Sequence, residues 1–197
     1  MIEVIGTLVG LVYLWLEYKA SIHLWIAGIV MPAIYIYVYY DAGLYADAGI
    51  NVYYLLAAVY GWLVWKFGRK PIVQGEDTRS IQRLLAMPVA YVRKRVCVLT
   101  LITLALFLLM GGVLDRFTDS TVPWLDSFTT ALSIVAMWML ARKYVEQWSV
   151  WIVVDVVSAG LYVYKELYFT AALYLLYAVI AVFGYRNWLS LMKNEER

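Results

Sequence analysis

The sequence predicts an all-α integral membrane protein. It has seven transmembrane helices in two parallel three-helix repeats, helices 1–3 and 5–7, joined by helix 4. Composition, the spacing of apolar stretches and an internal repeat support this fold class. Of 197 residues, 64% are hydrophobic and 15% charged, and the mean hydropathy is +0.74. Since an ordinary soluble domain is about one-quarter charged, a water-soluble fold of this size could not hide so much apolar surface.

The apolar stretches match the roughly 20 residues that cross a hydrocarbon core of about 30 Å. Short breaks separate most of them, and in each break charge or glycine interrupts the apolar run, as at 19–21 and 165–166. We predict helices at 2–18, 22–40, 46–65, 96–114, 125–141, 148–164 and 167–186.

Residues 66–95 stand apart, with eight basic residues, two acids and two prolines, and we interpret them as a loop. If this loop is cytoplasmic, seven spans place 14 of the 16 basic residues on the inner side. We therefore expect a bacterial cytoplasmic membrane, with the N-terminus outside and the C-terminus inside. A six-span alternative, with one amphipathic helix in the interface, would scatter these charges. The predicted segments are a first repeat (1–66), a basic cytoplasmic loop (67–95), a linking helix (96–114), a second repeat (124–188) and a cytoplasmic tail (189–197).

An internal repeat with an ungapped offset of 123 residues relates the two halves of the chain. It pairs Trp25 with Trp148 and extends to charged residues at the helix ends. Because helix 4 returns the chain to the outer side, the repeats are predicted to be parallel, as in SWEET-type transporters. The other matching pairs are Glu3/Asp126, Lys19/Arg142, Tyr39/Tyr162, Leu44-Tyr45/Leu167-Tyr168, Tyr54/Tyr177, Gly61/Gly184 and Trp65/Trp188.

Several function classes are excluded by missing residues. The sequence has no G-x-x-x-x-G-K-[ST] phosphate loop. The single histidine, His23, and the single cysteine, Cys97, cannot build a metal site. Helix 7 lacks the lysine that a retinal Schiff base requires. We therefore predict neither enzyme activity nor a bound cofactor or metal, and we interpret the basic loop as a topological determinant rather than a nucleic-acid site.

Polar residues inside the spans mark the candidate site. Asp155 lies near the middle of helix 6, and at 100° per residue it shares one stripe with Trp148, Trp151 and Tyr162. A carboxylate among aromatic rings suits a flat organic cation. The alternative is a protonated Asp155 bonded to a neighbouring helix, with the tryptophans serving only in packing.

Helix 3 carries a similar stripe, and weaker candidates lie on helices 1 and 5. Glu17 is equally consistent with ligand contact and with anchoring at the interface. The stripe on helix 3 comprises Asp47, Asn51, Tyr54 and Ala58, and the helix 5 candidates are Ser133, Met137 and Trp138.

Several runs resemble the PnuC family of vitamin-precursor transporters over nearly the whole chain. They are 126–127, 132–137, 141–148 and 151–155 in the second half, and 43–46 and 60–62 in the first. The resemblance implies seven helices in two repeats and uptake of a vitamin through the cytoplasmic membrane. It also implies a cytosolic kinase or pyrophosphokinase that traps the substrate.

Two departures from the family pattern bear on the substrate. Members of the nicotinamide riboside type carry asparagine at the position of Asp155 and glutamine at that of Asn51. An ionised aspartate only accepts hydrogen bonds, which fits the exocyclic amine and the thiazolium of thiamine. The resemblance therefore favours the thiamine-transporting branch, with nicotinamide riboside second and neutral riboflavin third. A membrane-embedded vitamin-binding subunit of a larger importer is the non-transporter alternative, and the sequence leaves homo-oligomer formation open.

Overall fold

The structure, a computed structural model, describes residues 2–41, 45–67, 89–92, 95–118 and 121–195. These residues form seven α-helices and one isolated parallel bridge, between Ala90 and Tyr144. The helices are α1 (Ile2–Tyr18), α2 (Leu24–Asp41), α3 (Tyr45–Phe67), α4 (Val96–Phe117), α5 (Pro123–Ala141), α6 (Gln147–Tyr164) and α7 (Tyr168–Glu195). The all-helical class and the seven predicted helices are confirmed.

Most helices in the described part of the chain are long and apolar enough to cross a membrane. Five meet this criterion, namely those corresponding to α3, α4, α5, α6 and α7. The apolar segments of α1 and α2, Val9–Tyr18 and Leu24–Val38, are shorter. The α4 helix is the most hydrophobic of the five, with a mean hydropathy of 2.6 and only 6% of its span buried in the protein.

The chain divides into two compact units. The first comprises Met1–Pro88 and Ala141–Lys143, and the second comprises Val89–Leu140 and Tyr144–Arg197. In the first unit, α1 packs on α2 and α2 on α3, whereas in the second, α6 packs on α7. The short stretch Ala141–Lys143 joins the first unit through Trp65, whose indole Nε1 donates to the Ala141 carbonyl oxygen at 3.1 Å.

In each unit, a tryptophan of one helix packs against a glycine of the next helix. A Cβ added to Gly61 would lie 2.3 Å from the ring of Trp25, and one added to Gly184 would lie 2.7 Å from Trp148. Both rings are completely buried. Each also meets a second tryptophan edge to face, Trp25 with Trp65 at a centroid distance of 5.4 Å and Trp148 with Trp188 at 5.8 Å. The two tryptophans and the glycine of each unit therefore occupy repeat-related positions, and glycine is required where the indole lies on the helix backbone.

The turns that precede α2 and α6 are also built alike. Ala20 and Lys143, which the offset of 123 relates, have positive φ angles of 48° and 53°. Both turns then close with the six-residue bond of a Schellman motif. The N–H of Ser21 donates to the Leu16 carbonyl at 2.9 Å, and that of Tyr144 donates to the Met139 carbonyl at 3.0 Å.

The last helix is longer than predicted, since it ends at Glu195 rather than near residue 186. The first charge after the apolar run, Arg186, does not end the helix. No glycine or proline follows it, and Gly184, Trp188 and Met192 are all buried at a spacing of four residues. One helical face therefore stays packed beyond the charge. Residues 68–88 and 93–94 of the predicted basic loop, and residues 196–197 of the predicted tail, lie outside the described residues.

Candidate functional site

The candidate site in the second unit is centred on Asp155, which lies near the middle of α6. Its side chain is only 6% exposed. Within the described part of the chain, Asp155 has neither a hydrogen bond nor a salt bridge; the described ion pair of this unit joins Lys165 and Asp126 at the helix ends. A buried carboxyl group without a partner is costly. Such a group in an apolar helix is a candidate for contact with a ligand.

Two tyrosines of the neighbouring α7 lie near this carboxyl group. Tyr174 and Tyr177 both lie close enough to Asp155 to interact with it electrostatically. A side-chain hydrogen bond joins Tyr162 of α6 to Tyr174, and their ring centroids are 5.1 Å apart. The centroids of Tyr174 and Tyr177 are 5.8 Å apart. The α6–α7 pair therefore brings one acid and three phenols together.

Trp151 adds a hydrogen-bond donor one helical turn before Asp155. Its indole Nε1 is buried and has no hydrogen-bond partner among the described residues. The side chain as a whole is only partly buried. An N–H donor and a carboxylate acceptor on one helical face can hold a polar aromatic ligand from two sides.

Trp148 is placed differently from Trp151, although both belong to the predicted stripe. Its side chain is completely buried, its ring covers Gly184, and it meets Trp188 at an interplanar angle of 87°. These contacts account for Trp148 as a packing residue. Of the two tryptophans of the stripe, Trp151 is the one whose side chain is partly exposed and open to contact with a ligand.

The first unit contains three further predicted residues. Asn51 and Tyr54 of α3 are partly buried, and the Tyr54 ring lies 5.6 Å from that of Tyr53. Glu17 of α1 is only 2% exposed. Its burial favours an interior role over anchoring at the membrane surface, where Lys19 instead places its ammonium 3.9 Å from the centroid of the Trp15 ring. The side chain of Asp47 lies outside the described residues.

The helix 5 candidates lie in packed surroundings. Ser133 is 8% exposed, and its Oγ donates to the Thr129 carbonyl oxygen at 2.8 Å. Trp138 packs on a cluster formed by Val92, Val135 and Met139. Its ring lies 5.9 Å from the Arg95 guanidinium and 5.8 Å from the ring of Tyr144. Met137 is buried as well, so packing accounts for these three residues without a ligand.

Comparison with known proteins identifies the family of the chain. A family model described as "Nicotinamide mononucleotide transporter" matches residues 1–190. The chain belongs to this family. The resemblance to PnuC proteins seen in the sequence is confirmed, and family membership together with several apolar helices makes the chain a multi-pass membrane transporter.

Relatives carry the names of transporters for two vitamin-related compounds. Nicotinamide riboside transporter PnuC of Escherichia coli (strain K12) is 27% identical, with 96% of this chain and 85% of the relative aligned. Riboflavin/roseoflavin transporter RibM of Streptomyces davaonensis is 25% identical over 99% of this chain and 87% of the relative.

A solved structure supports the fold. The crystal structure of the vitamin B3 transporter PnuC matches 96% of this chain and 80% of its own, with a TM-score of 0.68 and 24% identity. Chain topology is therefore shared, while the identity is too low to carry over the ligand. The family transports vitamin precursors, and the substrate of this chain must be argued from its own residues.

Two members of the α6–α7 cluster, Tyr174 and Tyr177, were not among the predicted site residues. The signal was present, because the offset of 123 relates them to Asn51 and Tyr54, both of which were predicted. The stripe on α6 is visible from the sequence of one helix, whereas the proximity of Tyr174 and Tyr177 on α7 is not. The element that packs on α6 had to be known first.

Proposed function

We propose that this chain carries a small cationic vitamin, thiamine first, into the cell across a bacterial cytoplasmic membrane. The observation that carries the proposal is Asp155, a buried carboxyl group on α6 with no partner among the described residues and with aromatic side chains around it. We take helices 1–3 and 5–7 to be parallel repeats joined by α4, with the N-terminus outside and the C-terminus inside.

The energetics favour a cation as the missing partner. A charged aspartate at the centre of a membrane helix costs on the order of 2.5–3.5 kcal/mol on insertion scales. A bound cation offsets this cost, and each ring face adjacent to it adds about 0.5–2 kcal/mol. Trp151, Tyr174 and Tyr177 supply such rings within the same helix pair.

Hydrogen-bonding chemistry favours thiamine among the cationic vitamins. A carboxylate accepts but cannot donate, so it matches the exocyclic amine of the aminopyrimidine and the positive charge of the thiazolium. The carboxamide of nicotinamide offers both a donor and an acceptor. An amide side chain, which also donates and accepts, therefore pairs with it better than a carboxylate does. The family resemblance implies an amide at this position in the nicotinamide riboside type, where this chain has Asp155.

Nicotinamide riboside is the second candidate, and the comparisons favour it. Several similar proteins bear the name nicotinamide riboside transporter, among them that of Neisseria mucosa at 28% identity. Its pyridinium is also a cation, so charge does not separate the two vitamins. Riboflavin ranks third because its ring system is neutral.

For energetics we propose facilitated diffusion. The sequence has no nucleotide-binding motif, and a membrane potential draws a cation inward by about 2.3 kcal/mol per charge per 100 mV. Phosphorylation by a cytosolic kinase or pyrophosphokinase then traps the product. The rivals are proton coupling through Asp155 or Glu17, and a vitamin-binding subunit that delivers ligand to a larger importer.

Reconstitution tests these alternatives together. Liposomes that contain only this protein are loaded with labelled thiamine, nicotinamide riboside or riboflavin. We expect thiamine to equilibrate without an ion gradient, and a pH gradient at zero potential should not drive it uphill. Concentrative uptake that Asp155→Asn or Glu17→Gln abolishes would establish proton coupling. Tight binding with no flux of any vitamin would favour the binding subunit.

A further inference from the structure

A short extended segment, Val89–Val92, lies against the turn between α5 and α6; we call it the strap. Both carboxylate oxygens of Glu146 accept the backbone N–H of Val92, at 3.0 and 3.1 Å. In the other direction, the Val145 N–H donates to the Ala90 carbonyl at 3.0 Å. Backbone groups of the strap thus bond to the turn both as donor and as acceptor, and the partner of the donor is the charged Glu146 carboxylate.

Two of the four strap residues are buried, and the strap shares a small apolar core with three helices. Val89 and Val92 are each 5% exposed. Val92 clusters with Val135 and Met139 of α5, and other helices add partly buried side chains to the cluster. These are Leu99 and Leu106 from α4 and Val150 from α6. A core shared in this way resists the independent movement of any one of its helices.

The repeat shows that the turn does not need the strap to form. The equivalent turn before α2 makes the same backbone bond. The Leu24 N–H donates to the Ser21 carbonyl there, and the Gln147 N–H donates to the Tyr144 carbonyl before α6, both at 3.2 Å. The position of Glu146 is taken there by His23, an exposed residue that bonds locally to Ser21 at 3.1 Å. The Glu146 contact is therefore an addition to the second repeat.

We infer that the strap stays closed throughout transport and makes α4 part of one moving body with α5–α7. The linking helix α4 belongs to neither three-helix repeat. The repeats alone therefore do not determine whether it moves with the first, with the second or with neither. The strap assigns it to the second repeat, because it joins the start of α4 to the start of α6, the helix that carries Asp155. This inference rests on the proposed function, since it concerns a transport cycle.

Covalent locking tests the inference. Paired residues of a β-bridge lie within the Cα range that a disulfide spans, so Ala90→Cys with Tyr144→Cys, in a Cys97→Ser background, can join the strap to the turn. The reduced form of the same protein is the control. We expect oxidised and reduced proteins to transport vitamin at rates within about two-fold of each other. Transport that stops on oxidation and returns on reduction would show that the strap opens, and would overturn the inference.

Breaking the strap gives the complementary measurement. Glu146→Ala removes the acceptor of the bond between the strap and the turn, and Val92→Pro removes its donor. His23→Ala, at the equivalent position in the turn before α2, is the control. We expect each of the first two variants to speed hydrogen exchange at the Val145 amide by about ten-fold or more and to slow transport with little change in vitamin affinity.

Hydrogen exchange does not require transport, so it separates the inference about the strap from the proposed transport function. If the parent protein carries no vitamin, the proposed function fails, while hydrogen exchange still reports on the strap. A strap that stays closed keeps the Val92 and Val145 amides protected with and without added thiamine. Loss of that protection on addition of ligand contradicts a permanently closed strap.

Discussion

The helix pairs α2–α3 and α6–α7 share one packing scheme and differ in what they enclose. In both, a buried tryptophan covers a glycine and meets a second tryptophan edge to face. At the positions that correspond to Trp151 and Asp155, the first pair has Gly28 and Pro32, and both are buried. The tryptophan–glycine packing is therefore repeated in both pairs, whereas the residues at the positions of Trp151 and Asp155 differ.

This difference teaches where selectivity can reside within a repeat. Changes to the residues that form the tryptophan–glycine packing bring a side chain too close to an indole, and these residues are alike in both halves. Residues that do not take part in it are free to diverge. Asp155 and the tyrosine cluster around Tyr174 are features of the second pair among the described residues, and they identify it as the polar half.

The largest expected effect tests the shared packing. Gly61→Ala and Gly184→Ala each place a methyl group under 3 Å from an indole, 2.3 Å from Trp25 and 2.7 Å from Trp148. We expect each to destabilise the protein by about 1–3 kcal/mol, since the rings have no space to retreat. Thermal unfolding in detergent measures this. Gly49→Ala and Gly160→Ala are the matched controls, because no atom lies within 4 Å of either added methyl group. Equal stability of all four variants would remove the claim of a common scheme.

The sequence predicted the repeat-related positions of this scheme but not its contacts. Tryptophan and glycine are distinctive residues, and the ungapped offset of 123 placed them in register. It could not predict that Trp148 is a packing residue and Trp151 is not. They are three residues apart on one stripe, and only the position of α7 separates their surroundings.

The second prediction concerns Trp151, which the first pair replaces with Gly28. Trp151→Ala should weaken vitamin binding by about 1–2 kcal/mol through lost ring and hydrogen-bond contacts. A binding titration of the purified protein measures it. Trp15→Ala is the control, since this indole is 54% exposed on α1. A similar loss in both variants would mean that the effect is not specific to the site.

The third prediction compares related tyrosines. Tyr177→Phe removes a hydroxyl group near Asp155, whereas Tyr54→Phe removes its counterpart in the first pair. We expect the former to weaken binding by about 0.5–1.5 kcal/mol, the worth of one hydrogen bond, and the latter by less. Isothermal titration of both variants decides the matter. Equal effects would indicate that the two repeats contribute alike to the site.

The smallest effect is expected at the end of the second pair. Lys165 and Asp126 form an ion pair at 3.6 Å, with each side chain about one-third exposed. The first repeat has Glu3 and Ala42 at these positions and cannot form the same pair. Because exposed pairs contribute about 0–1 kcal/mol, Lys165→Ala should lower the unfolding temperature only slightly. A double-mutant cycle with Asp126→Ala measures the coupling, which should shrink in high salt; a coupling well above that range would assign the pair a structural role.

The comparison also shows what the sequence could not supply. Asp155 was identified from its own helix, because a charge in an apolar span is conspicuous. Tyr174 and Tyr177 were not, since tyrosine is frequent in this chain, with 18 in all, and nothing along α7 marks two of them. The end of α7 was misplaced for a related reason, because a charge at position 186 resembles a membrane boundary when the packing of Trp188 is unknown.

The most direct test of the account is the response of two vitamins to Asp155→Asn. Titration of the purified variant should show thiamine binding weakened by about ten-fold or more, equivalent to about 1.4 kcal/mol, and nicotinamide riboside weakened less. Asp126→Asn, which changes an acid at the helix end, should leave both affinities as they are in the parent. If Asp155→Asn leaves both vitamins bound with unchanged affinity, the carboxyl group is structural and the second helix pair is not the cation site.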